Sequence, residues 1–350
     1  MLSKVAILYQ ATLPPIKNGI QKPMKPGGYS DSGADIAYEL KKNDIHVVTP
    51  IKNPNVNIDL DWGFPDTKEG IENAISKGAN TFWLNTVLYE KHEIEHFFGK
   101  KLRFIGQLPE KVDIYDDKHF TNEVLRKNQI PVPKSQLITS GDLSDHKLNF
   151  NFPMVVKPIR GRGSQGVTLV TNQQELDNNL KKIFSNKEYG SIVLIEQYLN
   201  GQEITITVMP SGTYTVNNNE EQYTTPWCLP AVKRFNHKDG IAPYNGNVAV
   251  IENSTVLSDD ELKSKEIVAV VNHCKKSGEL LQIKAPIRID CRADENGKYY
   301  LFDVNLKPNM TGPSRPHRQN QDSLVLLSAR KIGWDYYDLL KNIIRQSWKV

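Results

Sequence analysis

Two apolar segments flank a glycine-rich loop near the middle of the chain, and this arrangement restricts the possible fold more than any other feature. Residues 152–170 predict two strands joined by that loop. The loop consists of Gly161, Arg162, Gly163, Ser164, Gln165 and Gly166. A dinucleotide-binding turn needs a helix directly after its glycines, so that the helix N-terminus meets the pyrophosphate. Here the strand-like run Val167–Val170 follows, so the pattern disfavours a Rossmann site.

The loop is nevertheless suited to phosphate. Protein kinases cover phosphates with a similar hairpin, but their lysine follows the loop and H-R-D and D-F-G motifs come later. This chain has neither motif, and Lys157 precedes the loop. Glycines let backbone N–H groups approach phosphate oxygens, and a lysine on the adjacent strand adds a positive charge. An ordinary glycine-rich turn is the alternative, and the pair Lys157-Pro158 makes it less favourable.

The first 112 residues predict alternating strands and helices, which is typical of parallel βαβ units. The predicted elements are strands Val5–Tyr9, Asp44–Thr49 and Thr81–Asn85, and helices Ala34–Lys42 and Ile71–Lys77. The Pro/Gly-rich segment Pro14–Gly28 is expected to be a lid or a substrate loop.

The remaining residues predict a mixture of helices and sheets. The expected elements are helices Asp117–Asn128, Gln173–Ile183 and Asp259–Ser277, strands Ser191–Gln197 and Ile204–Met209, a hairpin of Ala285–Asp290 and Lys298–Asn305, a long irregular loop Asn217–Asn247, and a helical end from Asp322. We therefore expect an α/β and α+β protein in three parts: residues 1–112, 113–200 and 201–350.

Composition excludes several classes of protein. The chain has 350 residues with 44 basic and 40 acidic side chains, and this net charge of +4 gives no support to a nucleic-acid partner. No apolar run approaches the roughly 18 residues of a membrane span, so we expect a cytoplasmic protein. The three cysteines have no metal-ligand spacing and are expected to be reduced structural thiols.

The predicted hairpin near the C-terminus carries oxygen-bearing side chains. Asp290 and Asp303 are expected on neighbouring strands, and Asn305 faces the same side as Asp303 because it lies two residues further on. Two carboxylates and an amide oxygen suit Mg2+, which is usually shared with substrate phosphates. A solvated pair of aspartates beside a turn is the alternative.

Taken in order, these segments resemble the ATP-grasp superfamily, and within it the D-alanine–D-alanine ligase-like group. The resemblance runs from about Asp117 to Ser314. It is carried by Asp117-Lys118, Gln129-Ile130-Pro131-Val132-Pro133, Met154-Val155-Val156-Lys157-Pro158, Glu196-Gln197-Tyr198-Leu199, Glu203, Arg288-Ile289-Asp290 and Phe302-Asp303-Val304-Asn305. It implies an ATP-grasp fold with an N-terminal βαβ (pre-ATP-grasp) domain, and a ligase that joins a carboxylate to an amine through an acyl phosphate.

The resemblance also implies a role for each matched residue. The phosphates of ATP are held by Lys118, Lys157 and the loop residues Arg162, Gly163, Ser164, Gln165 and Gly166. The nucleoside is held by Glu196, Tyr198, Leu199 and Glu203. Mg2+, expected as two ions for which Mn2+ can substitute, is held by Asp290, Asp303 and Asn305. Arg288 and the backbone of Asn309 stabilise the developing oxyanion, and Ser314 receives the carboxylate of the second substrate.

The chain departs from the family pattern mainly at residues expected to surround the substrates, and less at residues expected to bind the nucleotide. Asp303 stands where the family commonly has glutamate, Asn309 where it has glycine, and Gly163 where the ligases have a serine. The N-terminal substrate signature is replaced by residues 25–33. These differences argue against D-alanyl-D-alanine synthesis.

Several assignments stay open. Arg315, His317 and Arg318 are equally compatible with gripping an anionic substrate and with being solvated loop cations, while Lys233 and Arg234 are expected on a loop that closes over the site. His237 is expected to be a surface histidine. The alternatives to a carboxylate–amine ligase are other ATP-grasp chemistry, such as carboxylation or transfer to a non-amine acceptor, and an inactive ATP-binding regulatory protein. Expected partners are small carboxylates and amines, with no nucleic acid or membrane, and a homodimer is compatible with the family.

Overall fold

The computed structural model describes residues 3–141, 148–161, 163–185, 189–237, 240 and 250–350, apart from the side chain of Ile251. Arg162 and residues 142–147 lie outside the described residues, as does much of the second half of the predicted irregular loop. In the described part of the chain, no helix is both long and apolar enough to cross a membrane.

The N-terminal sheet has four parallel strands in the order β2-β1-β3-β4. Its elements are β1 Val5–Tyr9, β2 Phe64–Pro65, β3 Thr81–Asn85, β4 Arg103–Ile105, α1 Ser30–Lys42, α2 Lys68–Ser76 and α3 Pro109–Tyr115. β1 and β3 have the predicted bounds, and both are apolar and almost wholly buried because helices or other elements cover the faces of a parallel sheet. The helices α1 and α2 begin a few residues earlier than predicted.

The predicted strand Asp44–Thr49 is wrong. The segment makes a single bridge, Val47 to Val5, with hydrogen bonds from Val5 N to the carbonyl of His46 (2.9 Å) and from Val48 N to the carbonyl of Val5 (2.8 Å). Pro50 follows and has no N–H to extend the ladder. The short strands β2 and β4, which sequence periodicity did not indicate, complete the sheet.

The central sheet is antiparallel, with the order β5-β8-β6-β7. Its strands and flanking helices are β5 Ser135–Thr139, β6 Met154–Pro158, β7 Thr168–Val170, β8 Ile192–Gln197, α4 Lys118–Lys127 and α5 Gln173–Ser185. The glycine loop joins β6 to β7 as a hairpin, which confirms the predicted strand–loop–strand arrangement. Asp117 caps α4 by accepting a hydrogen bond from Phe120 N at 2.9 Å.

The C-terminal sheet has the order β14-β13-β9-β15-β16, and β12 also pairs with β9. Its strands are β9 Glu203–Met209, β12 Trp227–Cys228, β13 Val232–Arg234, β14 Ser254–Val256, β15 Ile287–Ala293 and β16 Tyr299–Asn305, with a separate hairpin of β10 Gly212–Val216 and β11 Asn219–Tyr223. The helices are α6 Val250–Asn253, α7 Asp259–Leu262, α8 Lys265–Leu280, α9 Leu324–Arg330 and α10 Tyr336–Arg345.

Two sequence predictions for this region are corrected. Residues 219–234 are not irregular but contain β11, β12 and β13, so Lys233 and Arg234 lie in a sheet strand and not in a closing loop. The single predicted helix Asp259–Ser277 is two helices, because the Ser264 side chain caps a new helix by accepting from Ile267 N. The predicted β15–β16 hairpin is confirmed.

The C-terminal segment of the chain pairs with a strand of the N-terminal sheet. Phe104 in β4 and Trp348 exchange backbone hydrogen bonds of 2.8 and 2.9 Å, and their rings pack against each other with centroids 5.1 Å apart. One apolar core joins side chains of the N-terminal sheet, such as Phe82, to side chains of the C-terminal sheet, such as Ile289. The central sheet has its own cluster around Val156 and Leu180. The boundaries at residues 112 and 200 stay predictions, although each of the three large sheets lies within one predicted part.

Candidate active site

A cavity of about 510 Å³ opens where the three large sheets meet. This volume is in the range of small-molecule sites. The wall of the cavity includes the carboxyl end of β3, with Trp83 and Asn85, and residues just after β4, such as Gln107. Ligands of parallel sheets bind beyond the carboxyl ends of the strands, so the N-terminal sheet presents its usual binding edge to this space.

Most of the residues predicted from sequence line this one cavity. They are Lys118, Lys157, Gly163, Ser164, Gln165, Glu196, Tyr198, Leu199, Glu203, Arg288, Asp303, Asn305 and Asn309. Gly166, Asp290 and Ser314 are not part of the wall, and Arg162 lies outside the described residues.

The β15–β16 hairpin brings the predicted metal ligands into register. Asp290 lies directly opposite Asp303, and Arg288 lies directly opposite Asn305, so the four side chains share one face of the sheet. Asp303 and Asn305 border the cavity with a carboxylate and an amide oxygen. This donor chemistry fits Mg2+, which takes few protein oxygens and shares the rest of its shell with phosphates and water.

Asp290 has a different environment from Asp303. It is only 1% exposed, and its two carboxylate oxygens accept hydrogen bonds from Nε and Nη2 of Arg288 at 3.2 Å each. Thr205 Oγ1 donates a further hydrogen bond to Oδ1. In this arrangement Asp290 orients the Arg288 guanidinium, which borders the cavity, instead of presenting its own oxygens there.

Lys118, the first residue of α4, forms an ion pair with Asp303. Burial favours the neutral forms of both groups, but mutual attraction outweighs it: Asp303 raises the pKa of Lys118, and Lys118 and Lys157 lower the pKa of Asp303. Both side chains are therefore charged across the neutral range. The pair joins a predicted phosphate lysine to a predicted metal ligand.

Lys157 and Glu196 form a second, more deeply buried pair. Lys157 Nζ lies 2.6 Å from Glu196 Oε2 and donates to the carbonyl of Phe302 at 3.0 Å. The other Glu196 oxygen accepts from Asn122 Nδ2 at 2.7 Å. The Glu196 carboxylate is therefore engaged with Lys157 and Asn122.

Glu203, at the start of β9, is surrounded by groups that the sequence analysis did not assign to the site. His237 Nε2 lies 2.9 Å from Glu203 Oε2, so His237 is not the surface histidine that was expected. Arg292, which is opposite Glu203 in the sheet, lies 3.6 Å from the same oxygen and donates to the hydroxyl of Tyr198 at 2.8 Å. Only the strand register brings Arg292 here, and no motif pointed to it.

The glycine loop enters the cavity through Gly163, Ser164 and Gln165. Gly163 and Ser164 both have a φ of +58°. Gly166 has a φ of +72°, and a Cβ at this position would lie 2.9 Å from Pro158 and from the Tyr189 ring. The turn therefore packs too closely for a side chain at residue 166.

Ser314 does not border the cavity. It is buried and donates to Asp35 Oδ1 at 3.0 Å. Arg315 is also fully buried, and its Nε donates to the same oxygen at 3.1 Å, so it is neither a substrate cation nor a solvated one. Arg318 donates to both Asp35 oxygens at 2.8 and 2.9 Å, and Thr311 also bonds this carboxylate.

Comparisons with known proteins identify the family. A family sequence model described as D-ala D-ala ligase C-terminus matches residues 124–345. The chain belongs to this family. It is an ATP-grasp ligase that uses ATP and a divalent metal ion and acts on small molecules.

Individual members of the D-ala D-ala ligase family are distant relatives of this chain. D-alanine–D-alanine ligases of Francisella tularensis subsp. novicida and Francisella philomiragia are each 26% identical over 231 residues, which cover 66% of this chain and 67% of theirs. A D-alanine–D-alanine ligase from Bacillus anthracis complexed with ATP aligns with a TM-score of 0.62 at 20% identity, covering 98% of this chain and 95% of that one. The VanG D-Ala:D-Ser ligase from Enterococcus faecalis aligns with a TM-score of 0.64 at 14% identity, covering 98% and 99%. These structures share the ATP-grasp fold with this chain.

Proposed function

We propose that this protein joins a carboxylate to an amine through an acyl phosphate, and that its substrates are not two D-alanine molecules. The observation that carries the proposal is the convergence of Lys118, Lys157, Arg288, Asp303 and Asn305 on one cavity. Three cations and two oxygen donors are what phosphoryl transfer from a metal-bound nucleotide needs, since the protein contributes mainly position and charge.

The first step is phosphoryl transfer. A carboxylate oxygen attacks the γ-phosphorus, the bond to the β,γ-bridging oxygen breaks, and ADP leaves with that electron pair. Lys118 and Lys157 hold phosphate oxygens, and the loop residues Gly163 to Gln165 cover them. Asp303 and Asn305 would hold Mg2+, which supplies neutralising charge when bound.

The second step forms the amide. The amine nitrogen attacks the acyl carbon, the bond from that carbon to the phosphate oxygen breaks, phosphate leaves, and the nitrogen loses a proton. Arg288 is fixed by its two hydrogen bonds to Asp290, and its guanidinium suits the negative charge that develops on the acyl oxygen. Loss of one such donor typically costs about 100- to 1,000-fold in rate.

The doubt about D-alanine rests on the residues around the substrates. Ser314, which the family resemblance assigns to the second substrate, bonds Asp35 inside the protein. Gly163 replaces a serine in the loop. The nucleotide-facing residues have no comparable departures apart from the shorter Asp303.

Hydroxylamine provides a direct test because it traps an acyl phosphate as a hydroxamate without the natural amine. The protein is incubated with MgATP, hydroxylamine and a panel of carboxylates, and ADP and hydroxamate are measured together. We expect equal amounts of both products with at least one carboxylate. Asp303→Asn should lower the rate about 100-fold or more, whereas Glu295→Gln, at the exposed turn of the same hairpin, should leave it unchanged.

Binding of a non-hydrolysable ATP analogue to Asp303→Asn shows that the variant is folded. ADP release without hydroxamate would contradict the acyl phosphate and favour transfer to another acceptor. Equal activity of Asp303→Asn and the wild type would contradict the assigned role of Asp303. Mass spectrometry of products formed with added amines then identifies the natural pair.

A further inference from the structure

One end of the cavity is formed by Lys25, Tyr29, Asn85 and Lys307. None of these four residues is among those expected to bind the nucleotide. Tyr29 directly precedes α1, and Asn85 ends β3. Asn85 Nδ2 donates to the backbone carbonyl of Tyr29 at 2.9 Å, which holds the Tyr29 backbone at this end of the cavity. Lys307 follows β16, and its backbone N–H donates to Asn305 Oδ1 at 3.1 Å. We call these four residues the Tyr29 end.

Two ammonium groups approach the same aromatic ring at the Tyr29 end. Lys307 Nζ lies 3.3 Å from the centroid of the Tyr29 ring, and Lys25 Nζ lies 5.6 Å from it. Both distances are in the range of cation–π contacts. The two lysines come from distant parts of the chain, one before α1 and the other after the predicted metal strand, and both residues border the cavity. A ligand bound at this end lies beside concentrated positive charge.

Carboxylates near the Tyr29 end are already engaged with protein cations. Lys25 Nζ lies 2.7 Å from Asp31, and Arg318 lies 3.7 Å from the same carboxylate. The fully buried Asp35 bonds two arginines. Among the described residues of the predicted N-terminal part, those that border the cavity include Lys22 and Lys25 but no aspartate or glutamate.

This distribution of charge discriminates between substrates. A substrate amino acid that is bound by its ammonium group needs a carboxylate partner. At the Tyr29 end that group would meet the ammonium groups of Lys25 and Lys307 instead. Like charges at short range are unfavourable, and such repulsion is a common source of specificity. An anionic group would meet two positive partners beside the Tyr29 ring.

We propose that the carboxylate substrate carries a second anionic group, which binds Lys25 and Lys307 while the first carboxylate lies near Arg288 for phosphorylation. This inference rests on the proposed function and specifies its substrate class. The second group is a carboxylate or a phosphoryl group, since both offer the same anionic oxygens to ammonium partners. The substrate is thus a dianion and not an α-amino acid held by its ammonium group.

The test uses pairs of carboxylates that differ only in the second group. Succinate is compared with its mono-amide, and glutarate with its mono-amide, in the hydroxylamine assay with MgATP. 3-Phosphonopropionate distinguishes a phosphoryl from a carboxylate preference, and D- and L-alanine carry the ammonium group. We expect kcat/KM to be at least tenfold higher for one of the dianions than for its mono-amide, which is a monoanion, and for either alanine.

Variants connect the preference to the two lysines. Lys25→Met and Lys307→Met should each raise the KM of the preferred dianion at least tenfold and change the KM of the mono-amide by less than threefold. Lys265→Met removes a lysine that is highly exposed on α8 and serves as the matched control. Calorimetric titration of the dianion onto the protein with a non-hydrolysable ATP analogue gives the same comparison without turnover.

Failure of this inference differs from failure of the proposed function. The inference would be overturned if the protein preferred alanine, or if it used the dianions and their mono-amides equally well. It would also be overturned if the lysine variants raised the KM of the dianion and of the mono-amide equally. The proposed ligase function would stand in each case. Absence of hydroxamate and of ADP release with every carboxylate would overturn the proposed function and the inference with it.

Discussion

At the scale of single residues, the site is organised by carboxylates that hold cations in place. Asp303 pairs with Lys118, Glu196 with Lys157, and Asp290 with Arg288. Each pair holds a long, flexible side chain in place before any ligand binds. Less conformational entropy is therefore lost when the ligand binds. The three pairs join residues that are predicted to bind phosphate, metal and the developing oxyanion.

The pH dependence of the Lys118–Asp303 pair follows from the direction of its two pKa shifts. The pKa of Asp303 is lowered, so its stabilisation is present above the ordinary value of 3.8 and is lost as pH falls through the lower folded value. The pKa of Lys118 is raised, so its stabilisation is present below 10.5 and is lost as pH rises through the higher folded value. A double-mutant cycle with Lys118→Met and Asp303→Asn should give a constant coupling free energy from about pH 5 to 9.

Urea denaturation of the four proteins across this range measures the coupling. The coupling should weaken at acid pH, once Asp303 takes up a proton. A coupling that falls steadily between pH 5 and 9 would show that another group controls the pair.

At the scale of elements, the β6–β7 hairpin shows how a loop is shaped for phosphate by backbone conformation. Gly163, Ser164 and Gly166 all have positive φ, which turns the chain sharply between the two strands. Gly161, at the start of the same loop, does not have a positive φ. The atoms nearest to a Cβ added at Gly161 would lie 3.9 and 4.0 Å away. The two glycines at the ends of the loop therefore have different roles.

Gly166→Ala should destabilise the loop by about 1–3 kcal/mol, because it combines an unfavourable φ with contacts of 2.9 Å to Pro158 and Tyr189. We expect a lower urea midpoint and a raised KM for ATP, since the loop borders the cavity. Gly161→Ala is the matched control and should change both quantities little. Similar effects of the two substitutions would show that the backbone at Gly166 relaxes without cost.

At the scale of the whole molecule, buried contacts join segments that are far apart in sequence. Asp35 on α1 bonds Thr311, Ser314, Arg315 and Arg318 in the segment after β16. This ties the N-terminal part of the chain to the segment that carries Asn309. Asp35 and Arg315 are fully buried, and each has a second charged partner: Arg318 also bonds Asp35, and Arg315 Nη1 lies 2.6 Å from Asp59 Oδ1.

Asp35→Asn should lower the free energy of unfolding by about 1–3 kcal/mol, since Arg315 and Arg318 lose the carboxylate that they share while Asp59 still pairs with Arg315. Ser314→Ala removes a single hydrogen bond to the same carboxylate and should cost about 1 kcal/mol. Thermal and urea unfolding measure both effects. Ser314→Ala should also leave the KM of each substrate within threefold of wild type, and a large rise in one KM would restore Ser314 to the substrate site.

Much of the candidate site could be predicted from sequence because its residues lie in short motifs. The sequence placed Lys157 beside the glycine loop, and it placed Asp303 and Asn305 on one face of a strand. All three residues border the cavity. The strands Val5–Tyr9 and Thr81–Asn85 were predicted with their exact bounds, because a run of buried apolar residues between turn residues is a local signal.

Tertiary structure alone decided the features that depend on distant segments. The strands at 64–65 and 103–105 are too short for periodicity and exist because β1 and β3 offer them hydrogen-bonding partners. Arg292 joins the Glu203 cluster through strand register, and the Ser314 hydroxyl donates a hydrogen bond to Asp35, 279 residues earlier. Local patterns thus determined which residues could do chemistry, whereas burial and long-range pairing determined which of them face the cavity.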